Sequence, residues 1–400
     1  MKIFNYFLII ILAFLMIASA HATPAFNDFH RRAEAGENLN IVFFGASLTW
    51  GANASDPLST SYRANVARRF EAKYPRAHFH FYDAAIGGTN SQLGVFRLQR
   101  DVLRHKPDLV FLDFSANDDI STTDVETLSS YESLVRRIIL DGNCPLVQVI
   151  FPFRGDIGPG AMAKMKRRDA HLAISRAYNT AVGDAIALIN ERVGNGSSKI
   201  DELWPIDAGH PGDRGYAAFA DAAWSGYLDG VSRHLNCHAP TEMLYRATYM
   251  SWARVQLSAV GEMPSGWSTG IANRTSAYFD FLMSRWLEGV MVASNSGVSA
   301  EPERFKAKFR GTMVMLLGEC TLKSGKYRTY IDEQLVGEYA PGAFAKIING
   351  NGHHVQLVAV GLDAKREHSI EIEPIFDGDQ EQELRLESIC VAGGEASVWW

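Results

Sequence analysis

The 400-residue chain has no excess of basic charge: 39 Lys and Arg stand against 45 Asp and Glu, a formal net charge of −6. A general affinity for nucleic acid is therefore not expected. The one basic run, Lys164-Met165-Lys166-Arg167-Arg168, is short, opens a helical pattern and reads as a solvated face. Cysteine is scarce, with four residues in all (Cys144, Cys237, Cys320 and Cys390). Past the N-terminal segment no apolar stretch is long enough to cross a bilayer. The chain also lacks internal repeats, low-complexity tracts, a Gly-x-Gly-x-x-Gly dinucleotide signature and a Gly-x-Ser-x-Gly turn. No third ligand joins His78-x-His80 or His353-His354 at metal spacing, so both pairs read as strand or surface histidines and no catalytic metal or other cofactor is expected. What is there is ordinary globular composition, 47% hydrophobic and 21% charged, with length for roughly two domains.

Residues 1–22 read as a secretory signal peptide. Lys2 supplies the positive start, Phe7 to Ile17 the apolar core, and Ala18-Ser19-Ala20 or Ala20-His21-Ala22 the small-x-small cleavage site. The apolar stretch is short for a membrane span. The mature chain is expected outside the cytoplasm, secreted or periplasmic. In that setting four cysteines permit disulfides in three connectivities, and Cys320 with Cys390 is the favoured pair; buried free thiols are the alternative.

From Asn38 to Leu235 the pattern alternates. Strands are expected at Ile41–Phe44, His78–Tyr82, Leu109–Phe114 and Leu146–Phe151. Helices are expected at Tyr62–Lys73, Gln92–His105, Val125–Leu140, Met162–Val193 and Asp213–Leu235. Such alternation implies a parallel sheet with helices on both faces, spanning residues 23–238. After His238-Ala239-Pro240 short strands alternate with turn signals such as Asn349-Gly350-Asn351-Gly352, and residues 239–400 read as an all-β sandwich of jelly-roll type.

Four segments carry chemistry. In Ile41-Val42-Phe43-Phe44-Gly45-Ala46-Ser47-Leu48-Thr49 a buried strand ends in a Gly-small-Ser turn. Ligands of open α/β sheets bind beyond the carboxyl ends of strands, where a serine is presented to solvent. Asp83-Ala84-Ala85-Ile86-Gly87-Gly88-Thr89-Asn90-Ser91 ends the second strand, and its glycines let backbone approach a ligand and aim an N–H at it. Asp113-Phe114-Ser115-Ala116-Asn117-Asp118-Asp119 ends the third, with an asparagine able to hold an oxyanion. Asp207-Ala208-Gly209-His210-Pro211-Gly212 precedes the last helix, and its spacing can set a carboxylate against one imidazole nitrogen and leave the other as a base. Each alone is as well explained by a cap, an Asx-turn or a surface histidine.

Together, in this order, these segments resemble the SGNH (GDSL-type) hydrolase family over Leu39 to Leu235. The blocks are Gly45-Ala46-Ser47-Leu48-Thr49, Ile86-Gly87-Gly88, Ala116-Asn117-Asp118 and Asp207-x-x-His210. The resemblance implies a flavodoxin-like α/β/α sandwich. It implies Ser47 as nucleophile, His210 as base then acid, Asp207 as orienting carboxylate, and an oxyanion hole from the N–H groups of Ser47 and Gly88 and the side chain of Asn117. Ala46 stands where the family carries Asp, and Ser115 where it carries Gly; neither position supplies a triad group.

The β-rich half holds Trp252, Trp267, Trp286, Trp399 and Trp400, which either stack on sugars or fill a core. It resembles jelly-roll partners of SGNH esterases that act on polysaccharides. An acetylated carbohydrate is thus the expected substrate. The alternatives are a lipid or aryl esterase, a thioesterase or an O-acyltransferase on the same site, or a catalytically silent glycan-binding protein.

Overall fold

The computed structural model describes residues 24–118, 125–273, 286–296, 301–378 and 380–400. The expected leader Met1–Ala22 and Asp119 lie outside these residues. Five strands form a parallel sheet: β1 (Asn38–Gly45), β2 (His78–Ala85), β3 (Leu109–Asp113), β4 (Leu146–Ile150) and β5 (Ala181–Asp184), in the order β2-β1-β3-β4-β5. This is the flavodoxin-like order, whose switch point lies at β1 and β3. β3 and β4 are buried at every residue, as expected for strands covered on both faces. Helices Phe26–Ala35, Tyr62–Lys73 and Asp213–Ser232 pack together as one layer. Helices Ser91–Asp101, Val125–Leu140 and Lys166–Tyr178 form the other.

One expected element is wrong. The long helical pattern at Met162–Val193 is a 3₁₀ turn, a helix at Lys166–Tyr178, strand β5, and a helix at Ala185–Gly194. Asn179 takes a left-handed conformation and stops the first helix, while Asp184 caps the second by accepting from Ala187 N–H. β5 is four residues long and carries Gly183, which is buried against Ala222 and Ala223, so no apolar run announces it.

The second half is built on two antiparallel sheets. One contains β6 (Trp252–Gln256), β7 (Trp267–Ile271), β8 (Gly289–Ser294), β10 (Met313–Cys320), β13 (Gly352–Val360) and β15 (Glu383–Ala392). The other contains β9 (Phe305–Arg310), β11 (Lys326–Ile331), β12 (Gln334–Tyr339), β14 (His368–Ile375) and β16 (Ser397–Trp399). Phe305, Ala307 and Phe309 of β9 meet Val314 and Leu316 of β10 and Ile370 and Ile372 of β14 in one core, which makes the pair a sandwich. β10 is buried throughout because it serves two cores. Val314 and Leu316 face the sandwich, whereas Met313, Met315 and Leu317 join the core of the α/β half.

The first sheet therefore lies flat on the α/β half. Trp252 sets its ring 6.3 Å from Phe96, with the Arg137 guanidinium 4.8 Å above it. Buried Glu132 accepts from Leu244 N–H, Tyr245 N–H and the Tyr178 hydroxyl, and so ties the connecting segment to the helix Val125–Leu140. Trp267 and Trp286 are buried as well, while Trp400 is exposed at an edge.

The favoured disulfide is not formed. All four cysteines are free and buried. Cys390 pairs across the sheet with Met315, five positions along β10 from Cys320. That separates the two by on the order of 15 Å, whereas a disulfide requires Cα atoms within about 7 Å.

Candidate active site

The strand register aligns the first three blocks. Gly45 of β1 pairs with Ala85 of β2 on one side and with Asp113 of β3 on the other. Ser47, Gly87-Gly88 and Asn117 thus leave three adjacent strands at one edge of the sheet. Gly45 has no room for a side chain: a Cβ there would fall on Thr49 Oγ1 and the Asp113 carbonyl. Ser47 opens a single helical turn to Trp50, so its N–H lacks an intrahelical acceptor. The serine was expected to face solvent, but only 6% of it is exposed.

His210 arrives from the far end of the sheet on the loop before Asp213–Ser232. Its Nε2 lies 3.0 Å from Ser47 Oγ, and its Nδ1 lies 3.4 Å from Asp207 Oδ2. Asp207 Oδ1 accepts the backbone N–H groups of Gly209 and His210, each at 2.7 Å, and this folds the loop into a hook. Asn53 donates to Asp207 Oδ2 at 2.6 Å. Partial burial opposes ionisation of Asp207, but the His210 N–H, Asn53 and the Gly209 N–H outweigh it and hold the carboxyl below the usual range.

Several residues of this arrangement were missed in the sequence. Asn53 adopts φ +66, a left-handed conformation that asparagine tolerates better than most residues. Asp213 accepts from Ser55 N–H, Ser55 Oγ and Thr60 Oγ1, and Tyr216 donates to the Ala52 carbonyl at 2.6 Å. These bonds lock the loop after Ser47 to the loop that carries His210. Beneath the serine, Arg97 is fully buried and donates to the carbonyls of Gly45 and Ala84, clamping the ends of β1 and β2. Thr49 donates to Asp113, whose burial pushes its pKa up to about 7.

The loops that carry Gly88 and Asn117 are also fixed. Gly88 has φ +70, which favours glycine. Asn90 caps the following helix by accepting Leu93 N–H, and Asp118 accepts Ser91 N–H, joining the Gly88 and Asn117 loops. Among the described residues, no group of three or more His, Cys, Asp or Glu side chains is placed to hold a metal ion.

A serine hydroxyl, an imidazole and a carboxylate in this sequence of contacts can move a proton off Oγ as it attacks a carbonyl. Comparison with known proteins bears on that chemistry. No curated protein sequence matches the chain significantly. Among solved structures, the chain is similar to a two-domain esterase (CEX) active on acetylated mannans, co-crystallised with mannopentaose. The TM-score is 0.75 at 24% identity, over 94% of this chain and 98% of that one. A second structure described as a two-domain esterase active on acetylated mannans gives 0.73 at 22% identity over the same shares. An acetylxylan esterase from Geobacillus stearothermophilus covers 47% of this chain and 94% of its own, at 20% identity and a TM-score of 0.40. The first two establish a common fold across both halves. Residues 43–218 match the GDSL-like Lipase/Acylhydrolase family, and the α/β half of this chain is a domain of that family.

Proposed function

We propose that the chain is an exported serine esterase that removes O-acetyl groups from a polysaccharide. The observation that carries this reading is the 3.0 Å contact of His210 Nε2 with Ser47 Oγ at the carboxyl end of β1, inside a GDSL-like acylhydrolase domain. The substrate class is taken from the similarity of both halves to the esterases active on acetylated mannans. Export rests on the Met1–Ala22 leader; among the described residues no helix is long and apolar enough to cross a membrane. We place the α/β domain at residues 23–238 and the β domain at 239–400.

In the proposed mechanism His210 takes the Ser47 proton as Oγ attacks the ester carbonyl. Asp207, held ionised by its backbone donors and Asn53, stabilises the imidazolium that forms. The N–H groups of Ser47 and Gly88 and the Asn117 amide receive the oxyanion; one such donor is typically worth about 10²–10³ in turnover. His210 then protonates the departing sugar hydroxyl. Water, deprotonated by the same imidazole, releases acetate from the acyl-enzyme.

The test compares hydrolysis of p-nitrophenyl acetate and p-nitrophenyl octanoate by the mature protein and by Ser47→Ala. Acetate turnover that disappears in the variant is expected. A preference for octanoate, or turnover that survives in Ser47→Ala, would overturn the reading.

A further inference from the structure

His353 belongs to the β domain, yet it points at the α/β site. It is the second residue of β13, and side chains alternate along a strand. Val355, two residues on, packs against the core of the α/β half, so His353 shares that face. His354 points the other way and contacts the Tyr327 hydroxyl of the second sheet at 2.7 Å. His353 is 7% exposed, and its ring stacks on Phe344 with centroids 6.2 Å apart. Phe344 and Ile348 of the helix Gly342–Ile348 pack in turn on Trp50 and Ala52, just past Ser47. The β domain therefore touches the nucleophile loop and, through His353, the second block.

The groups around the imidazole are its own backbone carbonyl, the backbone carbonyls of Gly87 and Gly88 from the second block, and the Arg97 guanidinium beneath the site. Burial, helped by the Arg97 charge, lowers the pKa of His353 while the carbonyls of His353, Gly87 and Gly88 oppose it, so the ring is held neutral and keeps one N–H to donate. Neither ring nitrogen has a hydrogen-bond partner of normal geometry. The ring is thus a buried donor beside the second block without a completed bond, and contacts of this kind are often long in a ligand-free site and shorten when it is occupied. The carbonyl of Gly87 and the N–H of Gly88 belong to one trans peptide and point in opposite directions. A donor that holds the Gly87 carbonyl thus turns the Gly88 N–H away from His353.

We propose that His353 is a positioning residue supplied by the β domain, which orients the Gly87–Gly88 peptide so that the Gly88 N–H faces the oxyanion. This rests on the esterase reading of Ser47 and Gly88. It explains why a sheet of the accessory domain is pressed onto the catalytic half: the domain completes the oxyanion hole.

The experiment uses the full mature chain with His353→Phe, which keeps the ring stack and removes the N–H, and His353→Gln, which restores a donor. With p-nitrophenyl acetate, His353→Phe is expected to lower kcat about 10- to 100-fold with little change in KM, and His353→Gln to recover most of the loss. Hydrogen exchange of the segment 86–90, which needs no turnover, is expected to accelerate in His353→Phe alone. Unchanged kcat, a loss equal in both variants, or unchanged exchange would each overturn the proposal. Ser47→Ala run in parallel separates the two ideas: wild-type turnover that survives in Ser47→Ala sinks the esterase reading, while the exchange result still decides the role of His353.

Discussion

Asp113 offers a quantitative test of how the site is built. It ends β3, pairs with Gly45 two residues before Ser47, and is 1% exposed. Burial disfavours its charged form and outweighs the Thr49 hydrogen bond, so its pKa rises from 3.8 to about 7. At about 1.4 kcal/mol for each tenfold change in proton affinity, that rise corresponds to roughly 4 kcal/mol. The sign follows from linkage. Below about pH 4 the acid is protonated whether the chain is folded or not. Between there and pH 7 the unfolded chain ionises and the folded one does not, so the folded state loses stability as pH rises. Above that window the loss is complete. Asp113→Asn keeps an acceptor for Thr49 and has no proton to lose. Its stability relative to wild type should therefore improve by roughly 4 kcal/mol from about pH 4 to pH 8. Urea unfolding across that range, followed by hydrogen exchange in β1 and β3, measures the difference where the residue sits. A gap that does not change with pH, or that closes as pH rises, would refute the assignment of a neutral buried acid.

Three further outcomes are expected. Asn53→Ala removes a donor to Asp207, so the Asp207 carboxyl titrates higher and esterase activity falls more at acid pH than at neutral pH; an unchanged pH profile would show that Asn53 does not support the carboxylate. Glu132→Ala leaves Leu244 N–H, Tyr245 N–H and the Tyr178 hydroxyl without their acceptor and should destabilise the chain by about 1–3 kcal/mol, or more if the interface loosens. An unaltered Tm would count against that tie. A thiol titration of unreduced protein in denaturant should find all four cysteines, and finding two would restore a disulfide.

Much of the catalytic half was legible because its signals are local. Strong apolar runs at Ile41–Phe44 and Leu109–Phe114 mark strands of the sheet interior, and Tyr62–Lys73 and Val125–Leu140 run as helices over the expected residues. Gly88 and Asp207 declare themselves through local cues, a glycine pair at a strand end and a three-residue spacing to His210. The parts that stayed hidden depend on what lies across the fold. β5 is too short and too small in side chain to interrupt a helical period. Arg97 looks like any charged helix residue until β1 and β2 place two carbonyls beneath it. Asn53, Asp213 and Tyr216 matter only because the Ser47 and His210 loops meet. His353 read as a strand or surface histidine, and it lies buried in β13; its position against Gly87–Gly88 follows from the docking of β13 on the other domain. The tryptophans were open between sugar stacking and core, and the burial of Trp267 and Trp286 places those two in cores.

The most direct test of the account is release of acetate from acetylated mannan by the mature protein and by Ser47→Ala. The account predicts steady release by the wild type and none above background by the variant. Equal release by both would remove Ser47 from the chemistry, and no release by the wild type would contradict a polysaccharide deacetylase.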